Sequence, residues 1–221
     1  STTDRSLVIE NIAFEADGIS GDANIFVPGG GQRYTYNVTV RNCSFTDSGA
    51  TTQDIPAIKQ STGGCKNWEI IGCTVDNTMH SLLQVHNVDN VVIDGCTVES
   101  KNGINLANSA NAEVKNSTVD VSGYAIRIGD GSNPSISPKV TITNNNLKTS
   151  STAAEDAAIV IRKGASMATV NIEENNIVGE YSIANDPDKA VTDFSALSFT
   201  ILQNATNIAV ASSFCPFSEF K

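Results

Sequence analysis

The chain has 221 residues, a formal net charge of −10 and a pI near 4.5. That acidic balance excludes a general nucleic-acid binder, which needs clustered lysine and arginine to neutralise phosphates. No apolar run of about 18 residues exists to cross a membrane as a helix. The length fits one domain, and the apolar residues are mainly Val, Ile, Leu and Ala, with only 6% aromatic. Such side chains suit narrow stacked strands better than a bulky core.

In chain order, one line recurs. Apolar residues alternate with polar ones, a residue that tolerates left-handed backbone follows, and another apolar residue comes three positions later. It reads Leu7, Ile9, Asn11, Phe14, and then Val38, Val40, Asn42, Phe45. It recurs as Trp68, Ile70, Gly72, Val75 and as Val91, Ile93, Gly95, Val98. The next copies are Ala112, Val114, Asn116, Val119 and Val140, Ile142, Asn144, Leu147. In the seventh copy, Val170, Ile172, Glu174, Ile177, glutamate breaks the pattern, and Asn175 is expected to take the corner instead. Between Gly72 and Gly95 the step is 23 residues, and between Gly95 and Asn116 it is 21. Repeats of this size mark a solenoid, and Asn and Gly at the turn position supply the left-handed corner.

Between the copies lies a shorter alternation: Ile25 and Val27, Ile58 and Gln60, Leu83 and Val85, Ile104 and Leu106, Ile126 and Ile128, Ile159 and Ile161, with Ile183 opening a seventh. Period-two alternation sends these residues inward and the residue between them outward. Each coil therefore has a short strand, a variable loop and two strands bent at the corner. Residues 1–185 form the coils and 186–221 a C-terminal cap of the same domain. In the cap a short helix is expected, with Asp186 as N-cap and Pro187 as its first residue, turning Val191, Phe194 and Leu197 to one face. Phe199 and Ile201 then read as a degenerate last coil. Residues 1–5 offer no matching cap, so a flanking module is expected before them. Cys43, Cys73 and Cys96 share one repeat position, where they are either small buried hydrophobes or hold one disulfide. Cys65 and Cys215 lie off that position.

The repeated line resembles the right-handed parallel β-helix of the pectate-lyase-like superfamily over residues 6–185. The resemblance implies an all-β solenoid of about seven coils. It also implies that chemistry, where present, lines the outward positions of the short strand and its flanking loops. Those positions hold Phe26, Lys59, Gln84, Asn105, Arg127 and Val160 in successive coils, with His86 and Arg162 two residues further on in theirs. Three cations and a histidine along one face of an acidic chain fit an acidic polysaccharide. The site expected on this basis has Lys59, His86 and Arg127 as catalytic residues and Phe26, Gln84, Asn105 and Arg162 as substrate-binding residues. It needs no resident metal or cofactor, and Asp130 in the Gly129-Asp130-Gly131 turn is the one calcium candidate. His80, in the loop before the strand of His86, is expected at the same mouth of the groove, and an exposed Tyr124 could stack on a sugar ring.

Elimination by a lyase ranks ahead of hydrolysis. Of the segments that polygalacturonase-like hydrolases share, only Arg127-Ile128-Gly129 comes near one, and no paired Asp-Asp or Gly-His-Gly is present. A carboxylate pair would have to come from loops, for which Asp22, Asp54, Asp130 and Asp156 are available. The function expected is therefore a secreted or cell-surface protein that binds acidic polysaccharide along this face, with processing of the bound polymer left open. The alternative is a non-catalytic adhesin or structural module of a larger surface or phage protein.

Overall fold

The computed structural model describes residues 3–17, 23–27, 34–47, 55–60, 65–76, 80–86, 88–107, 109–130, 137–193 and 195–202. Three parallel sheets run side by side along one column. In each coil the chain passes from sheet one through the corner to sheet two, and by a loop to sheet three. Sheet one stacks eight strands, from Thr3–Glu10 to Ser198–Leu202. Sheet two stacks seven, from Ala13–Ala16 to Asn176–Val178. Sheet three stacks seven, from Ile25–Val27 to Ile183–Asn185. Every strand pairs with the equivalent strand of the next coil, so Val38, Trp68, Val91, Ala112, Val140 and Val170 stand in one inward row. The architecture is a right-handed parallel β-helix.

The interior follows from this stacking. Each inward aliphatic rests on its counterpart one rung away, at the ~4.8 Å strand spacing. Trp68, Ile70, Ile93, Ile104, Ile126 and Ile142 are fully enclosed. At the N-terminal edge Phe14 stacks flat on Phe45, with ring centroids 5.0 Å apart. Leu7 and Ile12, inward by register, stay exposed there because no described coil covers them.

The corner residues all adopt left-handed backbone, from Asn11 (φ 59°) through Gly72 (φ 61°) to Asn144 (φ 54°). Glu174 does so as well, at φ 55°. It keeps the corner by register, which corrects the expectation that Asn175 would replace it. Asn175 is instead buried inside the column. It is the last member of an interior row that begins Cys43, Cys73, Cys96, Ser117, Asn145. A residue just after a left-handed corner turns its N–H inward, where the strand ladder offers it no partner. Asn145 Oδ1 accepts that hydrogen from Ser117, and Asn175 Oδ1 accepts it from Asn145, each at 2.9 Å. Their amide nitrogens donate to the carbonyls of Val114 and Ile142 one coil back. Cys73 and Cys96 aim their sulfurs at the equivalent carbonyls of Val40 and Ile70, at 3.6 Å. The cysteine position is thus a donor position as well as a small apolar one. Among the described residues the four cysteines are free thiols. Hydrogen-bonded to the Cys73 sulfur and buried, the Cys96 thiol is pushed well above the ordinary thiol value.

The expected helix after Asp186 does not form in residues 187–193 or 195–197. Asp186 Oδ1 does accept from the N–H groups of Asp188 and Lys189, as a cap would. Its other oxygen is claimed by Arg162 at 2.6 Å, and Asn185 brackets Val191 with two hydrogen bonds. These ties hold the segment as a bent crossing that still buries Val191 and Leu197. Residues 198–202 then form the eighth strand of sheet one, where Phe199 and Ile201 face Val170 and Ile172. Phe194 and residues 203–221 of the expected cap, Cys215 among them, lie outside the described residues. Among the described residues no helix is long and apolar enough to cross a membrane.

Candidate functional site

The outer face of sheet three gathers the polar residues of successive coils, because strand pairing there is in register. Phe26 pairs with Lys59, Lys59 with Gln84, Gln84 with Asn105, and Asn105 with Arg127. The Phe26 side chain lies outside the described residues, as do Asp22 and Asp54. The other residues of the row sit within one or two rungs of their neighbours. His86 belongs to the same patch, level with Ala107 and two residues from Gln84.

His86 is held twice. Its backbone N–H donates to the buried Oε1 of Gln60 at 2.9 Å. Its Nε2 lies 3.4 Å from Gln84 Nε2, so with the amide donating, the imidazole carries its proton on Nδ1. Burial lowers the His86 pKa below its ordinary 6.5, and the charges of Lys59 and Arg127 push the same way against the pull of Asp130. The imidazole is therefore neutral at physiological pH, with its one acceptor nitrogen turned to Gln84. Burial likewise lowers the Arg127 pKa, and the group stays cationic in any ordinary buffer. Its guanidinium lies over the Tyr124 ring, 4.1 Å from the centroid, and its Nε donates to Asn105 Oδ1 at 3.3 Å. Tyr124 is buried beneath it, which corrects the expectation of an exposed stacking ring. It serves as a platform for the cation.

Three further expectations change. Asn105 is 5% exposed and spends its amide oxygen on Arg127, so it orients the cation. Arg162 is ion-paired with buried Asp186 and anchors the C-terminal crossing. His80 lies near Asn102, its Nε2 3.0 Å from the amide nitrogen. It stands at the opposite end of strand Ser81–His86 from His86. Six residues of extended chain separate the two histidines by roughly 20 Å, so they cannot share one mouth.

A second, small apolar cluster lies outside sheet three. Val160 and Ala184, outward by register, are fully buried and pack with Tyr124, Ala157, Ala154 and Tyr181. The cover is the segment 150–158, with a turn of 3-10 helix at Ala154–Asp156. It is tied down at both ends. Thr149 Oγ1 donates to the Gly123 carbonyl at 2.6 Å, and the N–H of Ala158 donates to the Tyr181 carbonyl at 3.1 Å. Asp156 accepts from Ser151 at 3.4 Å, and burial beside Glu155 raises its pKa. The outward repeat positions alone could not reveal this cover, although the alanines of 153–158 and the apolar Val160 at an outward position were its trace in the sequence.

The Asp130 turn packs into the next coil. Gly129 takes φ 84°, and the Gly164 N–H donates to the Asp130 carbonyl at 3.0 Å. A Cβ on Gly164 would stand 2.8 Å from Asp130 Oδ1, so the carboxylate lies against that backbone. Among the described residues no three His, Cys, Asp or Glu side chains gather as a metal site.

These features define a β-helix whose third sheet carries a half-buried cluster of one neutral imidazole and two cations. The chain belongs to the right-handed β-helix family: the family described as "Right handed beta helix region" matches residues 2–147 and 58–205. No curated protein and no solved structure matches it.

Proposed function

We propose that the outer face of sheet three binds an acidic polysaccharide through Lys59, Gln84, His86 and Arg127, and that the chemistry its residues suit is β-elimination. One observation carries this reading. In a chain of net charge −10, a lysine, an unprotonated histidine and an arginine stand within four successive rungs of one face, with Asn105 on the rung between the last two. A polyuronate lying along the row would have carboxylates of separate sugars matched by Lys59 and by Arg127, three rungs apart, and the matched charge acidifies the adjoining α-carbon in this partly desolvated setting. His86 Nε2, on giving up the hydrogen bond it accepts from Gln84, would then take the α-proton as general base. The electron pair left on carbon forms the new C=C bond as the glycosidic C–O bond breaks, and the departing sugar oxygen takes a proton from solvent water. In this scheme Asn105 and Tyr124 are positioning residues, since they act through Arg127. The reading places the protein outside the cell or on its surface, where such polymers occur.

The test is ultraviolet absorbance of unsaturated uronates across a panel of acidic polysaccharides, with a reducing-sugar assay alongside. Absorbance that disappears in His86→Ala supports elimination. Reducing ends without absorbance would move the chemistry to a carboxylate-based hydrolysis. If neither assay responds and no glycan binds, the reading fails. A second reading, a passive adhesin or structural module, is favoured by the engagement of Arg127 and Arg162 in internal contacts.

A further inference from the structure

We propose that the site recognises the end of a polysaccharide chain and excludes its interior. The inference rests on the reading above, and it comes from the cover over sheet three. A polymer lying along the outward row would pass from Lys59 over Gln84 and Asn105 to Arg127. Its next two rungs would be Val160 and Ala184. Both are sealed, at 0% exposure, under the 3-10 turn and Tyr181. The wall is built in. Its hydrogen bonds run to three coils, through Gly123, Thr149 and Tyr181, and its apolar underside is packed on both covered strands. Tyr124 belongs both to this wall and to the platform that holds Arg127. The last cation of the row therefore stands at the foot of the wall. The row is blind at its C-terminal end, and a sugar seated at Arg127 has no room for a successor in that direction. A single terminal residue fits this arrangement, whereas a continuous polymer does not.

The experiment compares homopolymeric uronates, each as long chains and as a partial hydrolysate about one tenth as long, at equal mass. Binding is read by isothermal titration on the intact protein. Recognition of ends predicts half-saturation at about tenfold lower mass for the short chains, because ends per gram rise in proportion. Half-saturation at the same mass for both lengths would overturn the blind end and leave the acidic-polysaccharide reading standing. Absence of binding to every uronate at every length would overturn both. A variant with residues 152–155 replaced by two glycines should lose the dependence on length. If that variant does not fold, the length series on the unaltered protein still decides the matter.

Discussion

Sheets one and three share one interior and differ in what they present to the outside. On sheet one the outward residues satisfy one another along the column. Asn67 donates to Asn37, Asn90 to Asn67 and Asn111 to Asn90, at 2.8, 2.8 and 2.9 Å. Nearby Arg41 pairs with Glu10, and Lys115 pairs with Glu113 at 3.0 Å. The result is a regular polar surface whose donors and acceptors are largely spoken for. On sheet three the outward residues break the repeat, become half-buried and lean on elements outside the column, such as Tyr124 and the 150–158 segment. Regularity is what a repeat produces by itself. A coil that departs from it, and tolerates the desolvation of Arg127 and His86, is where function is to be sought.

The sharpest test of the shared interior is Ile93→Asp. An unpaired carboxylate in the aliphatic ladder should cost more than about 4 kcal/mol and leave no cooperative thermal melt. Its outward neighbour Asp94 accepts from Asn116 at 2.8 Å, so Asp94→Ala should cost less than about 1 kcal/mol. Equal melting curves would break the register on which the comparison depends.

Next in size is Tyr124→Ala. It empties the small cluster outside sheet three and removes the platform of Arg127, for about 3 kcal/mol of stability with a loss of glycan binding. The matched change on sheet one, Asn67→Ala, should stay below about 0.5 kcal/mol in the same denaturant titration. Similar losses for the two would mean that the faces do not differ as described.

Asn145→Ala should cost about 2 kcal/mol, since it leaves the Ser117 N–H without its partner inside the column and removes the amide that donates to the Val114 carbonyl. Glu174→Gly should raise stability by about 1 kcal/mol, because glycine adopts the left-handed corner without the Cβ penalty. Both are read from denaturant midpoints.

The smallest effect is a pH slope. His86 has its pKa lowered in the folded protein, chiefly by burial. Below the ordinary histidine value of 6.5 the unfolded chain therefore binds the proton more readily. Stability should be fully present above that pH and decline as pH falls through it towards the folded value. His86→Asn should flatten this part of the melting-temperature profile. An unchanged slope would place His86 in a more solvated setting, closer to the character of sheet one.

Much of the fold was legible because a parallel β-helix repeats a local pattern. The alternation of Val91, Ile93 and Val98, the corner at Gly95 and the outward row through Gln84 and Arg127 each follow from neighbours along the chain. Even the lone glutamate at corner 174 obeyed the register over its own propensity. What remained hidden depended on contacts between coils. Cys96, Ser117 and Asn145 look unrelated as residue types until stacking gives them one donor's task. Asp186 and Pro187 carry a helix-start signature, yet Arg162 claims the buried carboxylate and the chain goes on to an eighth strand.

The sequence by itself determined the architecture, the inward and outward faces and the list of polar residues on sheet three, because strand periodicity is a property of adjacent residues. Only the tertiary structure decided which of those residues remain available. It tied Arg162 to Asp186, placed Asn105 and Tyr124 in the service of Arg127, parted His80 from His86 and walled off Val160. Burial and partnership arise where segments distant in the chain are brought together, and no local pattern encodes them.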